Sequence, residues 1–108
     1  MQPVGEHWAL GRFYPWDMEI EIDRLRERAH IIEGLLLVLD DGPAFLMEIG
    51  GCSDRVEALE RVMKTWRLSE QQAVHALDAP FRRATKLEQD RLRDQLAELN
   101  ERIEELGS

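Results

Sequence analysis

Hydrophobic positions along this chain recur with helical periods, and in two stretches the period is that of a heptad. The first set is Met18, Ile22, Leu25, Ala29, Ile32, Leu36 and Leu39, in alternating steps of four and three. Such a seam keeps one apolar stripe facing a partner helix, and it predicts a long helix over 17–41 with Asp17 as its N-cap. A second stripe, Ile31, Leu35 and Val38, opens along the far half. Two stripes predict burial on more than one side, so that end should run into a globular core. Asp40-Asp41-Gly42-Pro43 reads as the stop. A second seam, Leu92, Leu96, Leu99, Ile103 and Leu106, predicts another long helix over 85–106, opened by the capping box Thr85-x-x-Glu88. Each long helix should span roughly 30 Å at 1.5 Å per residue.

Residues 42–84, between the seams, read as short helices joined by tight turns. Ala44 to Ile49 is a short apolar element closed by Gly50-Gly51. Ser53 is placed to cap a helix with Val56, Leu59, Val62, Met63 and Trp66 on its inner face. Ser69 opens the next, where Gln72 completes an S-x-x-Q box, and Ala73, Ala76 and Leu77 should be buried. Pro80 interrupts that helix and Phe81 follows. The expected fold is therefore all-α: an antiparallel two-helix coiled coil with a small helical globular domain inserted between the long helices. Three heptads alone make a marginal coiled coil, so the inserted knob should share the stabilisation. Residues 1–16 hold Pro3, Gly5, Gly11 and Pro15, too much punctuation for a long regular element. Their Trp8, Phe13, Tyr14 and Trp16 should nevertheless pack on something, either as a tail over the coiled coil or as a strap for a partner.

Composition narrows the function classes. Charged residues make up 33% of the 108 and the formal net charge is −8, which argues against nucleic-acid binding through phosphates. The longest apolar run, Leu35 to Leu39, falls far short of the ~20 residues a membrane span needs. With no basic stretch leading into an apolar one at the N-terminus, a cytoplasmic protein without membrane contact is expected. The single cysteine, Cys52, can form neither an internal disulfide nor a cysteine metal site, and reads as a small residue beside Gly50-Gly51. His7, His30 and His75 form no metal-ligand spacing; His30, beside the first seam, and His75 read as packed imidazoles. The carboxylates lie on helix faces, where Glu98 and Arg102 have the favourable i,i+4 order. With no phosphate-binding glycine loop and no nucleophile elbow, no catalytic, cofactor-binding or metal residues are expected, and the chain reads as a non-enzyme.

Three blocks carry a more specific signal. Arg28-Ala29-His30-Ile31-Ile32-Glu33-Gly34-Leu35-Leu36 with Val38-Leu39-Asp40 comes first. Leu68-Ser69-Glu70-Gln71-Gln72-Ala73 with Ala76-Leu77-Asp78 follows, then Phe81-Arg82-Arg83-Ala84-Thr85-Lys86-Leu87-Glu88. In this order they resemble the coiled-coil and exit-gate region of the A subunit of bacterial type IIA topoisomerases, DNA gyrase and topoisomerase IV, over about residues 24–106. The resemblance implies two antiparallel helices with a small domain at their tip that meets a second copy across a two-fold axis. It thus implies a homodimer, with Leu68, Ala73, Ala76, Leu77, Pro80 and Phe81 as candidate dimer-interface residues. Departures accompany it: Ala84 stands where the family has leucine, Gly42-Pro43-Ala44-Phe45 replaces a more helical linker, and residues 1–17 match nothing in the family. The family's cleavage tyrosine follows an arginine in a winged-helix domain, whereas Tyr14 sits in Arg12-Phe13-Tyr14-Pro15. The metal-binding partner domain and the DNA-wrapping propeller of the family have no counterpart here. Expected, then, is a non-catalytic dimerisation module. The alternatives are a regulator that joins a full-length topoisomerase A subunit in a mixed gate, and a generic helical-hairpin adaptor.

Overall fold

The computed structural model describes residues 15–79 and 84–107, and the described residues are helical without strands. Five helices follow in order: α1 Pro15–Leu39, α2 Gly42–Gly50, α3 Arg55–Trp66, α4 Glu70–Asp78 and α5 Lys86–Gly107. The aromatic positions Trp8, Phe13 and Tyr14, and Pro80 and Phe81, lie outside the described residues.

Local chemistry sets the ends of these helices. α1 begins two residues before the expected cap, with Pro15 as its first helical residue and Asp17 in the first turn. Proline suits that place, because its fixed φ is helical and its missing N–H would have had no partner. The carboxylate of Asp17 then faces the positive end of the helix dipole. α1 ends at Leu39, just before Asp40-Asp41-Gly42-Pro43, and Gly42-Pro43 also start α2. Asp41 caps that helix by accepting from Ala44 N at 3.2 Å, and the proline occupies the first turn. For α3 the cap is Asp54, which accepts from Glu57 N at 2.9 Å, while Ser53 N donates to Glu57 Oε2 at 3.0 Å. The inner face differs accordingly: Val56 is 66% exposed, and Ala58 and Val62 are the buried residues. α4 opens with the expected capping box between Ser69 and Gln72. At α5, Thr85 Oγ1 accepts from Glu88 N at 3.2 Å.

α1 is the element the others share, packing against α5, α4 and α2, while α3 packs on α2 and α4. Met18 and Glu21, near the start of α1, line a groove with Arg102 and Leu106 near the end of α5. Leu36, Leu37 and Asp40 at the other end of α1 meet Arg93 and Leu96. The two long helices therefore run antiparallel. Arg102 reaches across to Glu21 at 3.9 Å, a cross-helix pairing rather than the i,i+4 pairing with Glu98 read from the sequence. One continuous core joins Leu25, Ala29, Ile32, Leu35 and Val38 of α1 to Val62, Leu68, Ala73, Ala76, Leu92 and Leu99. Leu35 and Val38 belong to the second stripe, so the far half of α1 is buried on two sides. No helix among the described residues is long and apolar enough to cross a membrane.

α3 ends in a left-handed residue. Arg67 has φ 56° and ψ 45°, and its N–H donates to Met63 O. The left-handed region costs a non-glycine residue roughly 1–2 kcal/mol, and glycine is the usual occupant of such a cap. Arg67→Gly should therefore raise stability by up to about 1 kcal/mol after glycine's greater unfolded-state entropy is subtracted. Chemical denaturation of the variant beside the parent measures this, and a loss of stability would contradict the account.

Candidate functional site

The junction of α1 and α4 is built around four residues, His30, Gly34, Ser69 and Gln72. Ser69 N donates to Gln72 Oε1 at 3.0 Å, and Gln72 N donates to Ser69 Oγ at 3.1 Å. Gln72 is 5% exposed, and its Nε2 donates to the backbone carbonyl of His30 at 2.7 Å. A backbone N–H thus fixes one end of the amide and a backbone C=O the other, which leaves it a single orientation. Nε2 also lies 3.2 Å from His30 Nδ1, so that ring nitrogen is the acceptor. The ring proton is then on Nε2, which donates to Ser69 Oγ at 2.8 Å. Gln71 adds an exposed link, its Nε2 donating to Glu27 Oε1 at 3.3 Å.

Gly34 permits this approach. A Cβ at that position would lie 2.8 Å from Gln72 Cβ, 2.9 Å from Cγ and 3.1 Å from Cδ. Glycine within a helix costs about 1 kcal/mol relative to alanine, and here the close packing of α4 offsets it. Every buried polar side-chain atom among the described residues has a partner. No group of three His, Cys, Asp or Glu among them could hold a metal ion. The clasp fixes the position of α4 on α1 through these hydrogen bonds.

A different surface has unspent binding capacity. α2 is the nine-residue segment Gly42–Gly50, and none of its residues is buried. Its exposed positions are Pro43, Leu46, Met47 and Gly50, spaced i, i+3, i+4, i+7 on one helical face. Leu46 is 49% exposed and Met47 79%. The opposite face holds the helix down: Phe45 meets Trp66 edge-to-face at 5.5 Å and 72°, and Ile49 packs on the core. Arg61 adds an ion pair to Glu48 at 3.8 Å. α2 is therefore apolar both where it packs and where it faces outward.

The residues singled out from the sequence are distributed as follows. Of the seams, Leu25, Ala29, Ile32, Leu92 and Leu99 are buried. Ile22, Leu36, Leu39, Leu96, Ile103 and Leu106 are half-buried, and Met18 is 38% exposed. Of the interface candidates, Leu68, Ala73 and Ala76 are packed inside this chain and Leu77 is half-buried. His30 is a clasp residue, whereas His75 is exposed. The outward face of α2 was not singled out, although Glu48 as the only polar side chain in the segment was a signal for it.

The architecture is that of an all-helical protein organised around one antiparallel helical pair. In sequence it is similar to a segment of the A subunit of DNA gyrase. It is 37% identical over 90 residues to that of Clostridium acetobutylicum, covering 83% of this chain and 11% of the relative. The Campylobacter jejuni protein is 37% identical over 86 residues, 80% of this chain and 10% of the relative. The probable chloroplastic/mitochondrial protein of Oryza sativa is 34% identical over 87 residues, 81% of this chain and 9% of the relative. The chain thus carries a gyrase A-like region and spans about a tenth of the length of these relatives. No protein-family model matches it.

Gly34→Ala should destabilise the protein by about 1–3 kcal/mol through overpacking against Gln72. Gln72→Ala should cost a similar amount by removing buried hydrogen bonds. Because the tightest contact is with Gln72 Cβ, which alanine keeps, the double variant should recover little of the loss. Urea denaturation of the two single variants and the double variant reads this. Full rescue by Gln72→Ala would disprove the packing account.

Proposed function

We propose that this chain is a non-catalytic dimerisation module. The α1–α5 pair acts as a coiled-coil stalk, and α2–α4 form the knob through which a second copy binds. The observation that carries the reading is α2, whose outward face, Pro43, Leu46, Met47 and Gly50, is as apolar as its packed one. Exposing that face is unfavourable by roughly 25 cal/mol per Å² of apolar surface, a penalty relieved when two such faces meet. Homo-oligomers of this kind use the same patch on both protomers. A stable interface buries on the order of 1,200–2,000 Å² in total, more than two nine-residue helices supply. The surface therefore extends beyond α2, and Leu77, Pro80 and Phe81 remain its sequence-based candidates. Similarity to the DNA gyrase A subunit supports the reading, since the resemblance implies an exit gate that closes by association of two knobs.

Size exclusion with light scattering should give a dimer at about tens of micromolar. The double variant Leu46→Glu/Met47→Glu should be monomeric with its helical circular dichroism intact, because both side chains are already exposed. Ile20→Glu, a control on an exposed residue near the start of α1, should leave the mass unchanged. A strict monomer for the parent chain would end the proposal.

One observation favours a second reading. Identities of 34–37% to segments of gyrase A subunits leave room for a knob that still fits the gate of such a protein. In that case the chain would regulate a full-length topoisomerase by forming a mixed gate. Added in molar excess, it should co-purify with the A subunit of a gyrase and lower supercoiling activity. Unchanged activity and no co-purification would exclude this reading.

A further inference from the structure

We propose that Met47 is a redox modification site: an alkyl hydroperoxide converts its thioether to the sulfoxide, and the added oxygen keeps a second copy from closing on α2. The effect on association rests on the dimerisation reading above, whereas the selectivity for Met47 stands apart from it. Three methionines lie among the described residues, and they differ in access. Met47 is 79% exposed, Met18 is 38% exposed, and Met63 is half-buried against the core. Met47 is also the most exposed large apolar side chain among the described residues, on the same helical face as Pro43, Leu46 and Gly50.

In the reaction the sulfur lone pair attacks the terminal oxygen of the hydroperoxide. An S–O bond forms as the O–O bond breaks, and the alcohol leaves with the proton. The sulfur is oxidised by two electrons and the hydroperoxide is reduced by two. The sulfoxide is polar where the thioether was apolar, and methionine sulfoxide reductases reverse the change. In the free chain the new oxygen is hydrated, because Met47 stands in solvent, so the fold is kept. Between two copies it becomes a buried acceptor, and Pro43 and Leu46 beside it have no side-chain donor for it. Two-fold symmetry makes that penalty enter twice. Pairing covers Met47, so the hydroperoxide reacts with the free chain and oxidation competes with association by mass action. The other peroxide-reactive side chain nearby is Cys52, which is half-buried and whose thiol donates to Glu48 O at 3.3 Å.

Arg12, Arg24 and Arg55 fall between the four methionines, so tryptic peptides of the treated full chain report each one separately. Fragment ions distinguish Met47 from Cys52 within their shared peptide. With tert-butyl hydroperoxide in dilute solution, Met47 should gain oxygen several-fold faster than Met18 or Met63. Light scattering of the oxidised chain should show the dimer dissociation constant raised about tenfold or more, with helical circular dichroism unchanged. Methionine sulfoxide reductase should restore the dimer. Met47→Leu, which keeps the face apolar, should dimerise equally before and after treatment. Oxidation of Met18 or Met63 as fast as Met47 would overturn the site. A dimer that survives oxidation of Met47, or one lost equally in Met47→Leu, would overturn the switch. An untreated parent that is already monomeric is a separate failure: it ends the dimerisation reading and the switch with it, while the oxidation rates still decide the site.

Discussion

Gly34 and Gln72 meet at a distance that no side chain on α1 could tolerate, and the placement of the short helices depends on that approach. α4 is held to α1 by an amide whose two ends are fixed by backbone groups and whose flank is fixed by His30 and Ser69. Once α4 is seated, Ala73 and Ala76 lie in the core, and α3 brings Val62 against them from its other side. Polar and steric terms act together here. The hydrogen bonds choose the orientation of the glutamine, and the missing Cβ lets the helices come close enough for those bonds to form.

That tight junction contrasts with α2. Phe45 and Ile49 attach it to the rest of the chain, while Met47 faces outward at 79% exposure and Leu46 is half exposed. A short apolar helix with only one face packed is poorly stabilised as a monomer element. Its retention makes physical sense where another surface completes it. On the proposed reading, the clasp is the frame of the region and α2 is its contact face.

Much of the fold was legible because repeated side chains signal it redundantly. The two apolar series, the second stripe at Leu35 and Val38, and the Ser69–Gln72 box each follow from short-range spacing; α1 and α5 span the series, Leu35 and Val38 are buried, and α4 opens with the box. Starts and stops decided by one residue were less legible. Gly42-Pro43 follows the end of α1 but also begins α2, with Asp41 as its cap, and Asp54 rather than the adjacent Ser53 caps α3. The clasp lay beyond local reading because its partners are 39 to 44 positions apart, and nothing in the separate segments says that they meet. The outward face of α2 was hidden for another reason: a helix with one polar side chain, Glu48, reads nearly the same whether it is sunk in its own core or faces outward.

The clasp also bears on the order of assembly. Glu21 and Arg102 stand near opposite ends of the described chain, and pairing them directly would close a very large loop. His30 and Ser69 are 39 positions apart, a shorter and entropically cheaper closure. With α4 already fixed on α1, the start of α5 is delivered beside the end of α1, and only a short loop is left to close. Loop entropy then favours zipping α5 along α1 from the knob outward, so that a junction made of four residues also acts as the hinge pin from which the long helices close.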